Sequence, residues 1–144
     1  MLVKWYRPAG SLAPVKLSRD LYDRLVAHAQ AEAPNECCGI IGVVDGTAVD
    51  FYPARNRFNS PLRFEIHPDD LFRINAEIEE RGQTMALYHS HPKTEGVPSQ
   101  TDVNLASWWP GVEWIICSLA EGEAVVRGFA IDGPEVTEIE LVVG

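Results

Sequence analysis

The chain is poor in positive charge. Twelve Lys+Arg stand against 21 Asp+Glu in 144 residues, a formal net charge of −9. Nucleic acid and anionic membrane both reward positive charge, so neither is an expected partner. Long apolar runs are missing too: no stretch reaches the roughly 18 consecutive apolar residues of a spanning helix. Met1-Leu-Val-Lys-Trp-Tyr-Arg-Pro8 lacks the apolar middle of a signal peptide, and the expected location is cytoplasmic. Cysteine is scarce, with Cys37 and Cys38 adjacent and Cys117 alone; an odd number of thiols cannot all enter a disulfide framework. Cys117, in the apolar run Trp114-Ile-Ile-Cys-Ser-Leu119, reads as a small buried hydrophobe. No repeat, low-complexity tract or Pro/Gly/Ser-rich linker divides the chain, so residues 1–144 read as one domain.

What is present suits a folded enzyme-sized domain. With 46% hydrophobic and 23% charged residues the composition is that of an ordinary globular chain. A chain of this length buries roughly 70% of its unfolded surface and needs neither disulfide nor structural metal to fold. A short strand near Val15–Leu17 precedes a helix that Ser18 caps and Pro34 ends, with Leu21, Leu25, Val26 and Ala29 at helical spacing. Asp45-Gly46 is a hairpin signal between apolar strands at 37–44 and 48–52. A polar loop at 53–61 leads to an expected strand at 62–66. A second helix starts at Pro68, with Leu71, Phe72, Ile74, Asn75 and Ile78 as its expected core face and Gly82 as its stop. A strand at 84–88, a loop at 93–99, a short helix at 100–107 and β-rich segments at 112–119, 123–131 and 135–143 complete the chain. The order indicates an α/β or α+β domain with a mixed, largely antiparallel sheet flanked by helices.

Chemistry concentrates at three places. His89 and His91 are two apart at the end of a strand, so both imidazoles point to one face and can reach one ion, which suits zinc. Eleven residues on, Asp102 opens the third helix and can fold back as an oxygen donor; two His and one carboxylate make an open, catalytic kind of site. Ser99-Gln-Thr-Asp102 fits a helix capping box equally well, worth about 1 kcal/mol, and a His-x-His pair is common at strand ends. The residues alone leave both readings open. Glu36, at the mouth of an apolar strand, is either a solvated loop-end carboxylate or a general base beside a metal. Arg55, Arg57 and Arg63 cluster in an otherwise acidic chain, either as an ordinary polar loop or as a source of one bidentate fork for a substrate carboxylate.

Taken together, Glu36, His89-Ser-His-Pro92 and Ser99-Gln-Thr-Asp102, with six residues between Pro92 and Ser99, resemble the JAMM (MPN-plus) zinc metallopeptidases. The likeness extends over about residues 15–132, through Glu36-Cys-Cys-Gly-Ile-Ile-Gly42 and Asn59-Ser-Pro-Leu-Arg-Phe-Glu-Ile-His-Pro68. It implies a cytidine-deaminase-like MPN fold and one Zn²⁺ per chain held by His89, His91 and Asp102. It further implies that Glu36 is the general base and Ser99 the donor to the developing oxyanion. The Pro-Asn-Glu-Cys-Cys-Gly opening is similar to the bacterial stand-alone members that process ubiquitin-like sulfur carriers. Those hydrolyse the amide bond after the carrier's C-terminal tail, releasing cysteine (CysO-cysteine type) or a short peptide. Rival expectations are a non-catalytic MPN-type module that binds a ubiquitin-like partner, a general deubiquitinase-like isopeptidase, a cupin-like oxygenase, which the early His28 and His67 disfavour, and a Cys38–His89 thiol peptidase. The sequence leaves a homodimer open.

Overall fold

In a computed structural model, residues 12–144 are described in full and residues 5–7 by their backbone strand alone. The elements run β1 (Trp5–Arg7), β2 (Val15–Leu17), α1 (Arg19–Glu32), β3 (Cys38–Val44), β4 (Thr47–Ala54) and α2 (Pro68–Glu80). Then come β5 (Thr84–His91), α3 (Gln100–Ala106), β6 (Glu113–Ser118), β7 (Val125–Asp132), β8 (Glu135–Ile139) and β9 (Leu141–Val143). All strands join one sheet in the order β1-β8-β7-β6-β5-β3-β4-β2-β9. The long pairings β3–β4, β3–β5, β6–β7 and β7–β8 are antiparallel, while β5–β6 is parallel and is crossed over by α3. The mixed sheet with flanking helices is the expected class. The β-rich tail divides: β8 pairs with β7, and after Glu140 alone β9 pairs with β2, so one residue links strands from opposite ends of the order and the sheet curls.

Local chemistry explains the helices. Ser18 Oγ accepts from the Leu21 amide at 3.1 Å and starts α1, whose Leu21, Leu25 and Ala29 lie four apart and are buried. Pro68 occupies the first turn of α2, and Gly82 follows its end at φ +65°, a conformation that costs a residue with a Cβ. Asp45 and Gly46 both have positive φ, the geometry of the tight hairpin between β3 and β4.

Strand alternation sorts the core into two halves. Ile41, Ala86, Tyr88, Ile115 and Cys117 face α1, whereas Ile40, Leu87, Trp114, Ile116 and Phe129 face α2 and α3. Positions 89 and 91 share the parity of Leu87, so both histidines emerge on the α3 side. All three cysteines are buried and free.

Three local expectations fail for identifiable reasons. Residues 62–66 form no strand; a single bridge pairs Asn56 with Ile66. The Asn56 side chain supplies what a ladder would, donating to the Glu36 and Arg63 carbonyls and accepting from the Phe58 and Glu65 amides. Phe72 and Asn75 lie outside the core face of α2, Phe72 being 82% exposed, because Asp70, Ile74 and Ile78 define the buried stripe. Finally, β5 does not stop at Tyr88 but runs to His91, paired with β3 as far as His89 and with β6 through His91.

Asp70 anchors the loop to α2. Its Oδ2 accepts from the Arg55 amide at 2.8 Å and Arg55 Nε at 3.0 Å, and its Oδ1 accepts from Nη2 at 3.1 Å. Hydrogen bonding from Arg55 outweighs desolvation and lowers the Asp70 carboxyl from 3.8 to about 2. A depressed folded-state pKa means that the unfolded chain binds the proton first, so this contribution is present above pH about 4 and is lost as pH falls toward 2. The melting temperature of the wild type is expected to fall more steeply across that window than that of Asp70→Asn, measured by circular dichroism; parallel profiles would remove Arg55–Asp70 as an acid-sensitive anchor.

Candidate metal centre

His89 is fully buried and His91 and Asp102 nearly so. The ladder fixes the histidines, His89 paired with Cys38 of β3 and Ile116 of β6, and His91 with Ser118 of β6. Asp102 arrives from α3, whose N-cap is Ser99: Ser99 Oγ accepts from the Asp102 amide at 3.1 Å, and the Ser99 amide donates to Asp102 Oδ2 at 2.9 Å. The capping box therefore forms. It does not compete with convergence, because the same Oδ2 also lies 3.2 Å from His89 Nε2 and 3.0 Å from His91 Nε2, and the two Nε2 atoms are 3.0 Å apart.

That triangle fits a tetrahedral ion. Donors about 2.0–2.1 Å from zinc and at tetrahedral angles lie about 3.3 Å from one another. Among the described residues, His89, His91 and Asp102 are the group of three donors able to hold a metal. Their orientation is set from behind. His91 Nδ1 lies 2.7 Å from the Glu95 carbonyl, which makes Nδ1 the protonated nitrogen and leaves the Nε2 lone pair facing the cluster. The His89 ring stacks on Phe64, centroids 4.3 Å apart and planes 20° from parallel, with Trp114 edge-on at 5.6 Å. Phe64, the Glu95 carbonyl and the Trp114 edge carry no motif; the parity of 87, 89 and 91 was the one available hint that aromatic packing would surround His89.

The electrostatics follow from burial. Desolvation pushes His89 down, with Asp102 opposing. Desolvation also lowers His91, but hydrogen bonding and charge from Asp102, with the Glu95 carbonyl, outweigh it and raise the group. Asp102 is held far below the ordinary carboxylate range, the two imidazoles overcoming its burial. Glu36 is 5% exposed, and burial pushes it up to about 8, with His91 lowering it and Asp102 raising it. Its backbone is tied down, the amide donating to the Ser60 carbonyl and the carbonyl accepting from Asn56 Nδ2, yet Oε1 has no partner. A buried carboxylate oxygen with nothing to accept from is costly. A dication in the triangle and a water beside it would relieve that cost, which is a second mark of fit.

The arginines separate. Arg55 is engaged by Asp70 and Arg57 by Glu65 at 3.1 Å, whereas Arg63 lies over the Phe58 ring at 4.0 Å with no acidic partner among the described residues. Arg63 also lines a groove of about 580 Å³ with Phe58, Phe64, Thr101, Leu105 and Trp108. Phe64 lines the groove and also stacks on His89, so the groove and the donor cluster share that ring as a wall. Cys38 does not serve as a nucleophile candidate: burial pushes its thiol above the ordinary range, and its Sγ faces the Arg55 carbonyl at 3.5 Å. Ser99 Oγ is engaged as an acceptor by the Asp102 amide.

Comparison with known proteins gives the family and the fold. The family model described as prokaryotic homologs of the JAB domain matches residues 18–130. A desampylase from Haloferax volcanii is 36% identical over 112 residues, 72% of this chain and 80% of its own length. A CysO-cysteine peptidase from Mycobacterium tuberculosis is 28% identical over 133 residues, 90% of both chains. The solution structure of a Desulfitobacterium hafniense protein superposes with a TM-score of 0.81 at 32% identity, covering 90% of this chain and 92% of the other.

Zinc titrated into chelator-treated protein is expected to raise the melting temperature, since a ligand at about 100 times its Kd stabilises by about 2.7 kcal/mol. The same titration of His89→Ala should leave it unchanged. An equal rise in both proteins would place the metal elsewhere.

Proposed function

The chain belongs to the prokaryotic homologs of the JAB domain, a metallopeptidase family, and from that premise we propose that it hydrolyses the amide bond after the C-terminal tail of a ubiquitin-like sulfur carrier. His89, His91 and Asp102 hold one zinc ion. Zinc there supplies Lewis acidity toward the scissile carbonyl and makes water nucleophilic at neutral pH. Glu36 takes a proton from the attacking water and returns it to the departing amine as the C–N bond breaks. Ser99 turns its hydroxyl hydrogen to the carbonyl oxygen as negative charge develops; one such donor is worth about 3 kcal/mol. Its lone pair stays with the Asp102 amide, so capping and donation coexist on one hydroxyl.

The observation that carries the reading is the buried triangle of donors together with Glu36, whose Oε1 is unpartnered and whose carboxyl is within electrostatic reach of His91 and Asp102. The names of the relatives narrow the substrate: one is a CysO-cysteine peptidase and another a desampylase. The released group is cysteine or a short C-terminal peptide, and the groove beside the centre receives one side of the substrate. Arg63 is the arginine available for a free carboxylate on the departing residue, Arg55 and Arg57 being occupied by Asp70 and Glu65.

Carriers bearing a C-terminal cysteine or a short extension, incubated with the zinc-loaded protein, are expected to lose the mass of that residue or peptide by intact mass spectrometry. Glu36→Gln should retain zinc and lower kcat on the order of 10²–10⁴-fold; undiminished turnover removes Glu36 from proton transfer. Arg63→Ala should raise KM for a free-acid substrate and not for its amide, with Arg55→Ala and Arg57→Ala sparing that difference. Equal effects on acid and amide would sink the role of Arg63.

A further inference from the structure

The loop between His91 and Ser99 carries no metal donor, yet it is strapped down. Gly96, Val97 and Pro98 are buried, Val97 among the residues packed under α3. Ser118 ends β6 directly beside His91, with which it is paired in the parallel ladder, and the Leu119 amide donates to the His91 carbonyl at 3.1 Å. The Ser118 side chain is 1% exposed. Its hydroxyl is used in both directions: Oγ accepts from the Ala120 amide at 3.2 Å and donates to the Thr94 carbonyl at 2.6 Å. One residue beyond Thr94, the Glu95 carbonyl accepts from His91 Nδ1 at 2.7 Å. At Gly96 a Cβ would stand 3.3 Å from Ser118 Cβ, so the strap lies against the serine with no room to spare.

We propose that Ser118 is a positioning residue for the metal centre: by holding the Thr94 carbonyl it places the Glu95 carbonyl that fixes the His91 ring and tautomer. The chain of contact is Ser118 Oγ–H to Thr94 O, along one residue of backbone to Glu95 O, and from there to His91 Nδ1–H. Without the hydroxyl the Thr94 carbonyl loses its side-chain partner and the Ala120 amide loses its acceptor, and the strap is free to move away from β6. The His91 ring then samples the tautomer with the proton on Nε2, which cannot ligate. The same contacts hold Thr94, Glu95 and Gly96 against the end of β6. The inference rests on His91 being a zinc donor.

The test uses the full chain, stripped of metal, as wild type, Ser118→Ala and Gly96→Ala. Zinc affinity is measured by competition with a chromophoric chelator, and the His91 tautomer by ¹⁵N shifts of the imidazole nitrogens in the metal-free protein. Ser118→Ala is expected to bind zinc about tenfold more weakly, the lower end of the range for groups behind metal ligands. The Nε2–H tautomer should become detectable while the amide spectrum outside residues 91–99 and 117–121 stays unchanged. Gly96→Ala keeps every hydrogen-bonding group and should shift both readouts in the same direction by crowding Ser118. Should Ser118→Ala be too unstable to purify, Gly96→Ala alone carries the test. Unchanged zinc affinity and tautomer in the variants, with wild type binding zinc, overturn this inference alone. Failure of the wild type to bind zinc overturns the donor reading along with it.

Discussion

Three donor atoms held within 3.2 Å of one another, on buried side chains, is the constraint on which the rest of the structure turns. Two imidazole nitrogens and a carboxylate oxygen cannot all present lone pairs to the same point unless a proton or a cation lies between them. The protein resolves part of that conflict internally. Asp102 stays ionised because both imidazoles face it and the Ser99 amide donates to the same oxygen. His91 is turned by the Glu95 carbonyl, and His89 by aromatic faces. What remains is a cluster of converging acceptor atoms and, within electrostatic reach of it, an unsatisfied carboxyl, Glu36, the arrangement that a dication and a water would complete.

The fold makes this convergence cheap in conformational freedom. Because β5 is paired on both sides as far as His89 and with β6 through His91, strand alternation puts both histidines on one face, and the opposite face carries Tyr88 and Ser90 instead. Tyr88 donates to the Leu25 carbonyl of α1, and Ser90 Oγ accepts from the Cys37 amide, so residues on the far side of β5 tie the strand to α1 and to the segment bearing Glu36. The parallel crossover from β5 to β6 passes through α3 and delivers Asp102 to the same face. Glu36, just before β3, feels the charge of His91 and Asp102, and its backbone is held by Ser60 and Asn56 of a loop that replaces a strand with side-chain hydrogen bonds.

Much of this was legible in the chain because it follows from spacing. Histidines two apart on an apolar strand share a face, Ser99 and Asp102 three apart make a cap, and Asp45-Gly46 makes a hairpin; each rule acts over a few residues. The family resemblance rested on those same positions, and the match over residues 18–130 agrees with it. What local pattern could not supply depends on neighbours distant in sequence. Phe72 has the right spacing for a core position, yet the buried stripe of α2 is set by where Asp70 meets Arg55. Residues 62–66 have strand-forming composition, but Asn56 claims their backbone groups. Ser118 closes an apolar run with nothing to mark it, and only the fold brings it beneath Thr94. The choice among Arg55, Arg57 and Arg63 likewise turned on where Asp70 and Glu65 sit.

The central claim, an open zinc site built from His89, His91 and Asp102, is tested most directly by X-ray absorption at the zinc edge on the protein loaded with one equivalent of Zn²⁺. The account predicts a four-coordinate first shell of nitrogen and oxygen only, at about 2.0–2.1 Å, with two imidazoles and an exchangeable oxygen. A sulfur shell at about 2.3 Å, which would mean that Cys37, Cys38 or Cys117 binds the ion, would contradict it.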